Sequence, residues 1–220
     1  MLEINNLNYS YDGEVKVLDD VTFKIEKGKI YCLLGVNGAG KTTLFNCITG
    51  FLNSNLDLDE NLINDKILYI QDEMNFYKNL SGIEFIKLIF DLKEKLLDEE
   101  KLKILLKDLK MEEKITDTIS TYSLGTKQKL VLIIGFLLKY EYIFMDEPFG
   151  AIDFISAEYI INLLQKYRDQ NNGIIISTHL IDIAHEIADE ILFINNGKVY
   201  QKRNDFIDTK QLKEWIRRNI

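Results

Sequence analysis

The chain has 220 residues, of which 46% are hydrophobic, and its formal net charge at pH 7 is −8. This length and composition suit one globular domain with a sizeable core and exclude a disordered chain. The negative balance argues against a general nucleic-acid or anionic-lipid surface. Cys32 and Cys47 stand at small apolar positions, which favours a reduced cytoplasmic setting over a metal site.

No secretion signal is expected at the start of the chain, because Met1 to Ser10 carries Glu3 and several Asn residues. The longest apolar stretch, at residues 130–138, is about half of the roughly 20 residues needed to span a bilayer. We therefore expect any membrane role to depend on a partner protein.

Hydrophobic periodicity predicts strands and helices that alternate along the chain. In chain order, the prediction is strands 2–11, 21–25 and 30–34, helix 42–49, a polar turn region 53–66, strand 67–70, helices 81–92, 97–109 and 127–140, strand 142–145, helix 156–168, strand 174–177, helix 180–188, a hairpin of 191–194 with 199–201, and helix 210–217. Alternation of this kind predicts an α/β fold with a largely parallel sheet covered on both faces.

A glycine-rich loop joins the third strand to the first helix. Its residues are Gly35, Val36, Asn37, Gly38, Ala39, Gly40, Lys41, Thr42 and Thr43, which fit the phosphate-loop pattern of a Gly, four residues and Gly-Lys-Thr. Glycines let successive backbone N–H groups converge on a phosphate chain, and the start of the helix adds its positive dipole end. Lys41 would reach the β- and γ-phosphates, and the Thr42 hydroxyl would hold Mg²⁺.

Two carboxylates follow the apolar strand 142–145, just before Pro148. Asp146 stands where a second acid must meet the Mg²⁺ beside Thr42. Glu147 is a candidate to polarise the water that attacks the γ-phosphate, because a carboxylate next to the metal can accept its proton.

Several motifs in order make the chain resemble the nucleotide-binding domain of an ABC transporter over nearly its whole length. The loop Gly35–Thr43 resembles Walker A, residues 142–147 resemble Walker B, and Tyr-Ser-Leu-Gly-Thr-Lys-Gln at 122–128 resembles a variant ABC signature. The signature form is similar to that of bacterial exporters for peptide antibiotics and drugs. The resemblance implies a phosphate-loop ATPase fold with N-terminal antiparallel strands and an inserted α-helical subdomain. It also implies one domain over 1–220, with 1–78 and 122–220 as the core and 79–121 as the helical subdomain.

The same resemblance implies roles for single residues, with ATP and Mg²⁺ as cofactors. Tyr11 resembles the aromatic residue that stacks on adenine, with Tyr9 as the competing choice. Gln71 resembles the glutamine that touches Mg²⁺ and the attacking water, and His179 resembles the histidine that hydrogen-bonds the γ-phosphate. Residues 150–153 look like the loop that crosses to a second subunit. His185, in contrast, is expected to be only a surface residue.

Two features depart from the family pattern. The signature has Leu124 and Thr126 where Gly and Gln are usual, while Ser123 and Gly125 are kept, so phosphate contact should survive. The stretch between the phosphate loop and Gln71 is short, which puts the usual edge hairpin in doubt.

The predicted function is that of an ATP-hydrolysing subunit of a transporter. It would pair head to tail with a second copy on two ATP molecules, Ser123 and Gly125 of one copy completing the phosphate site of the other. Through the amphipathic set Met74, Phe76 and Tyr77 it would grip a separate transmembrane permease at the cytoplasmic face of the membrane. The alternatives are a soluble ABC ATPase of a cytoplasmic assembly such as iron–sulfur cluster building, and a phosphate-loop kinase, which would leave the signature and His179 without a rationale.

Overall fold

The structure is a computed structural model that describes residues 1–56, 58–71, 75–150 and 154–219. The strands are β1 (Leu2–Ser10), β2 (Lys16–Ile25), β3 (Ile30–Leu34), β4 (Ile67–Ile70), β5 (Tyr142–Asp146), β6 (Gly173–Thr178), β7 (Glu190–Asn195) and β8 (Lys198–Arg203). The helices are α1 (Lys41–Ile48), α2 (Glu60–Lys66), α3 (Gly82–Leu92), α4 (Glu99–Asp108), α5 (Leu124–Leu138), α6 (Phe154–Asp169), α7 (Ile181–Ile187) and α8 (Thr209–Arg218), with a 3₁₀ turn at Ile119–Thr121.

The described strands form two sheets. β1 and β2 make an antiparallel pair, and the larger sheet has the order β4-β5-β6-β3-β7-β8. All of its pairs are parallel except β7 with β8, which form the predicted hairpin. The α/β class, the N-terminal antiparallel strands and the mainly parallel sheet are therefore confirmed.

Two apolar cores cover the faces of the large sheet, which explains why β3, β5 and β6 are buried along their whole length. One core joins β1 and β2 to α1 and includes Leu33, Phe45 and Phe144. The other joins the sheet to α3, α4, α5, α6 and α7. The strands meet in a register that pairs Leu34 with Thr178 and Asp146 with Ser177, so the segments that follow β3, β5 and β6 lie side by side at one edge.

The segment after α1 differs from its sequence prediction. It contains the helix α2, where a crowd of Asn and Asp residues predicted only polar turns. Leu62 of α2 is partly buried against the core beside α1, as are Leu56 and Leu58 just before the helix, and this packing offsets the weak helix propensity of the local sequence. Between α1 and β4, the described residues contain α2 and no strand, so they form no edge hairpin there.

Between β4 and α5, the described residues contain the helices α3 and α4, as predicted. α3 begins with a capping box, in which the Ser81 hydroxyl accepts from Glu84 N and the Glu84 carboxylate accepts from Ser81 N. α3 and α4 both pack on α5, which starts at Leu124, three residues earlier than predicted, because the Ser123 hydroxyl caps it.

Both cysteines are buried free thiols, and burial raises the pKa of Cys47 to about 11. In the part of the chain that the structure describes, no helix has the length and apolar character needed to cross a membrane. His185 is not the free surface residue that its sequence context predicts: it is partly buried, and its Nε2 lies 3.1 Å from the carbonyl oxygen of Phe206.

Candidate functional site: the phosphate loop and its carboxylates

The phosphate loop turns tightly between β3 and α1. Gly38 and Gly40 have φ values of 80° and 103°, in the left-handed region that residues with a Cβ avoid, and Gly40 is the N-cap of α1. A Cβ on Gly35 would come within 2.6 Å of Ile194 Cγ2 in β7, so only glycine fits beside that strand. The predicted glycines are thus explained by backbone geometry and by close packing.

Lys41 lies under this loop with only 7% of its surface exposed. Its ammonium donates to the carbonyl oxygen of Gly35 at 2.9 Å and lies 3.2 Å from Glu147 Oε1. A buried ammonium is stable only when it is paired in this way. Phosphate oxygens entering the loop would supply the same negative charge that Glu147 supplies here.

Thr42 and Asp146 meet although they are far apart in sequence. The Thr42 hydroxyl donates to Asp146 Oδ2 at 2.6 Å, and Asp146 is buried at the end of β5. A hydroxyl and a carboxylate oxygen are hard ligands of the kind that Mg²⁺ prefers. Among the described residues, no group of three or more His, Cys, Asp or Glu side chains could hold a metal. The pair therefore fits Mg²⁺ that keeps phosphate oxygens and waters as its other ligands.

Glu147 has an unusual backbone and a central position. Its φ is 46°, in the left-handed region, and its amide donates to both the carbonyl and the hydroxyl oxygen of Ser177, at 3.2 and 3.0 Å. Its carboxylate contacts Lys41 through Oε1 and lies 3.0 Å from His179 Nδ1 through Oε2. Since a carboxylate only accepts, the imidazole Nδ1–H is the donor. The structure therefore brings Lys41, Glu147 and His179 together as one chain of contacts.

A cavity of about 460 Å³ opens beside these groups. It is lined by Tyr11, Val17, Asn37, Gly38, Gly40, Lys41, Thr42, Thr43 and Glu147. Tyr11 is exposed, its hydroxyl lies 3.0 Å from Thr43 Oγ1, and its ring meets the edge of Tyr9 at a centroid distance of 5.0 Å. Of the two competing tyrosines, Tyr11 is the one that lines this cavity.

Other predicted site residues lie elsewhere. Ser123 is exposed at the start of α5 with Gly125 in its first turn, and the residues lining the phosphate cavity include neither. The Ser123 hydroxyl contacts Thr126 of its own chain, accepting from its amide at 3.2 Å. Gln71 follows β4 and lines a different cavity. The predicted crossing loop is described only at Gly150, since residues 151–153 lie outside the described residues.

The cavity that Gln71 lines is an apolar groove of about 450 Å³. Its walls are mostly apolar and aromatic side chains from β4, α3 and α5, joined by Phe51 and Phe76. Of the predicted gripping set, Met74 lies outside the described residues, Phe76 packs on Phe85 with centroids 5.4 Å apart, and Tyr77 is exposed. Phe76 thus packs within its own chain as well as lining the groove.

One residue that contacts the site was not predicted from the sequence to have a role there. Ser177 is completely buried near the end of β6 and donates from its hydroxyl to Asp146 Oδ1. Its sequence position could have indicated a role, because Ser177 directly follows three isoleucines, 174–176. A strand buried on both faces tolerates a hydroxyl only when that hydroxyl has a hydrogen-bond partner.

Known proteins resemble this chain over most of its length. The sequence profile of the family described as "ABC transporter" matches residues 18–150. The lantibiotic transport ATP-binding protein SrtF of Streptococcus pyogenes is 29% identical and covers 100% of this chain and 97% of its own length. An uncharacterised ABC transporter ATP-binding protein of Bacillus subtilis, YthP, is 31% identical over 91% of this chain and 85% of its own.

A solved structure of an ATP-binding subunit of an ABC transporter superposes with a TM-score of 0.85. It is 25% identical and covers 98% of this chain and 93% of that one. The relatives named here are transport proteins, which does not favour the iron–sulfur assembly alternative. The chain belongs to the ABC transporter family, as one of its ATP-binding, ATP-hydrolysing subunits.

Proposed function

We propose that the phosphate loop Gly35–Thr43 binds ATP with Mg²⁺ and that Glu147 is the base for its hydrolysis, within a homodimer that drives a separate transmembrane permease. The observation that carries the catalytic part is the contact chain of Lys41, Glu147 and His179 beside the phosphate cavity.

Glu147 is the carboxylate best placed to accept a proton. Both carboxylate oxygens of Asp146 accept hydrogen bonds, one from Thr42 and one from Ser177. The Glu147 carboxylate instead forms an ion pair with Lys41 and a hydrogen bond with His179. When the β- and γ-phosphates engage Lys41, the Glu147 carboxylate is released from that ion pair and can orient and deprotonate the attacking water. Bound Mg²⁺ would neutralise phosphate charge next to Thr42 and Asp146.

His179 and Gln71 have supporting roles in this proposal. With Nδ1–H donated to Glu147, the imidazolium form of His179 has a second N–H for a γ-phosphate oxygen. Gln71 follows β4, the strand beside β5, and therefore stands at the same edge of the sheet as Asp146. It lines the apolar groove, and if its amide also reached the attacking water and Mg²⁺ it could connect the groove to the phosphate cavity. Tyr11 supplies the flat ring on which adenine stacks.

The homodimer is supported by the position of the signature. Ser123 is exposed and Gly125 is partly exposed at the N-terminus of a 15-residue helix, where backbone N–H groups and the helix dipole favour a phosphate. In their own chain they do not line the phosphate cavity. A head-to-tail pair of copies places them on the phosphates bound by the other chain.

The permease partner is supported by the apolar groove around Gln71. Phe51 in the groove wall is 65% exposed, and Tyr77, which follows the wall residue Phe76 in the chain, is 66% exposed. Such rings in contact with water suit a partner that covers them. A helix of the permease lying in the groove would hold this subunit at the cytoplasmic face of the membrane and would move with Gln71.

The test is Glu147→Gln, which keeps the shape of the side chain and removes the base. We expect hydrolysis to fall by about a hundredfold or more, while ATP-bound dimers accumulate on a sizing column. Glu141→Gln is the matched control, because Glu141 precedes the other end of β5 and pairs with Lys27 and Lys66 on the surface. A Glu147→Gln protein that hydrolyses ATP at the normal rate and stays monomeric with ATP would contradict both the base and the dimer.

A further inference from the structure

The hydroxyl of Ser177 touches both carboxylate residues of the site and is sealed from solvent. It donates to Asp146 Oδ1 and accepts from the amide of Glu147 at 3.0 Å. Its exposed fraction is 0%. One buried oxygen therefore connects the side chain of the first carboxylate to the backbone of the second.

The first contact sets the rotation of the Asp146 carboxylate. With Oδ1 bound to Ser177, Oδ2 is directed to the Thr42 hydroxyl, which lies 2.6 Å away. Without Ser177, Oδ1 would lose this donor and the carboxylate could rotate away from Thr42. Outer partners of this kind orient a metal ligand, and their loss typically weakens metal binding or activity.

The second contact sets the direction of the Glu147 side chain. Glu147 has a φ of 46°, which residues with a Cβ adopt rarely and only when neighbours hold them there. Its amide is held by two oxygens of Ser177, the hydroxyl and the carbonyl. In this backbone conformation the Glu147 carboxylate reaches Lys41 and His179.

We propose that Ser177 is a positioning residue that sets the Mg²⁺ ligand Asp146 and the base Glu147 at the same time. The inference rests on the proposed function in one respect, namely that Asp146 holds the metal and Glu147 acts on water. It goes beyond that function by assigning the coupling of the two carboxylates to a single hydroxyl on the neighbouring strand β6. If Ser177 were merely structural, replacing it would lower the stability of the fold and leave the Mg²⁺ requirement of the folded protein unchanged.

The test compares Ser177→Ala with Thr49→Val. Each change removes one buried hydroxyl, but Thr49 donates only to Phe45 O at the far end of α1. ATP affinity is titrated in the presence of EDTA and over a series of Mg²⁺ concentrations, together with kcat and KM at saturating Mg²⁺. For Ser177→Ala we expect the Mg²⁺ concentration that gives half of the maximal change in ATP affinity to rise about tenfold. We also expect kcat to fall about tenfold. Its KM and its affinity in EDTA should stay within about twofold of the unchanged protein, and Thr49→Val should change none of these by more than that.

A second variant keeps the test valid if Ser177→Ala unfolds. Ser177→Cys keeps a weak donor of similar shape, so its Mg²⁺ requirement should fall between those of Ser and Ala. Unchanged Mg²⁺ requirement and kcat in a folded Ser177→Ala protein would overturn the proposal. Equal losses of affinity with and without Mg²⁺ would also overturn it, because Ser177 would then support the fold. Asp146→Asn tests the underlying function separately: if it leaves the Mg²⁺ requirement unchanged, the metal assignment itself fails.

Discussion

The phosphate cavity and the apolar groove have almost the same volume, about 460 and 450 Å³, yet the chain builds them in opposite ways. Around the phosphate cavity the charged groups already have partners within the chain, through Lys41 with Glu147 and Asp146 with Thr42. The groove walls are mostly apolar, and Phe51 in the wall and Tyr77, which follows the wall residue Phe76 in the chain, are largely exposed. Volume therefore says little about what a cavity binds, and the chemistry of its walls decides.

Because the two cavities differ in this way, we expect mutations in each of them to have different effects, and experiments can test that expectation. The phosphate cavity is preorganised by hydrogen bonds and ion pairs, so changes there should alter nucleotide binding and hydrolysis in the isolated subunit. The described residues that line the groove include no carboxylate, so changes to its apolar side chains should alter attachment to a partner and leave basal hydrolysis intact.

The largest effect on binding is expected for Lys41→Ala. The change removes the cation that meets the phosphates and also leaves the Glu147 carboxylate without its ion pair, so the cavity becomes more negative. ATP affinity should fall at least about tenfold, which corresponds to about 1.4 kcal/mol. Nucleotide titration of the two purified proteins measures it. The control is Lys27→Ala, which removes a surface cation paired with Glu141. If Lys41→Ala and the unchanged protein bind ATP with equal affinity, Lys41 is not a phosphate ligand.

The sequence predicted the catalytic edge better than the contacts within it. β3 was predicted with its observed ends because a fully apolar run stops at a glycine turn, and the phosphate loop has a fixed spacing. The φ of Glu147 and the contact of Ser177 with Asp146 could not be predicted, because both depend on the register of β5 with β6. Likewise, α2 forms through burial of leucines that the local propensity does not reveal. The subdomain boundaries at 79 and 121 and the individual residue roles remain predictions.

An intermediate effect is expected for Phe51→Ser in the groove wall together with Tyr77→Ser, which follows the wall residue Phe76 in the chain. This pair of changes tests the attachment to the permease. Both side chains are largely exposed, so their loss should cost little folding stability. Phe76 is left unchanged because it packs on Phe85, and its removal would combine docking with folding. In cells that co-express the natural neighbouring genes, we expect several-fold less protein in the membrane fraction, with normal ATPase activity of the purified subunit.

The control for the groove is Leu96→Ser, since Leu96 is 98% exposed and is not part of the groove wall. It should leave membrane attachment unchanged. If the unchanged protein is wholly soluble under the same conditions, the attachment proposal fails and the soluble-assembly alternative gains support. If the double variant stays on the membrane, the groove is not the contact surface.

The smallest effect is expected at Tyr11, where two substitutions separate the ring from its hydroxyl. Tyr11→Ala removes the surface for stacking and should weaken ATP binding about fivefold, since aromatic pairing is worth about 1 kcal/mol. Tyr11→Phe keeps the ring and loses only the contact of its hydroxyl with Thr43 Oγ1, so its affinity should change by less than about twofold. Tyr9→Ala decides between the competing tyrosines: Tyr9 lies in β1 and packs against the core, so this change should lower thermal stability and leave the affinity of the folded protein unchanged. A loss of affinity in Tyr9→Ala with none in Tyr11→Ala would transfer the adenine contact to Tyr9.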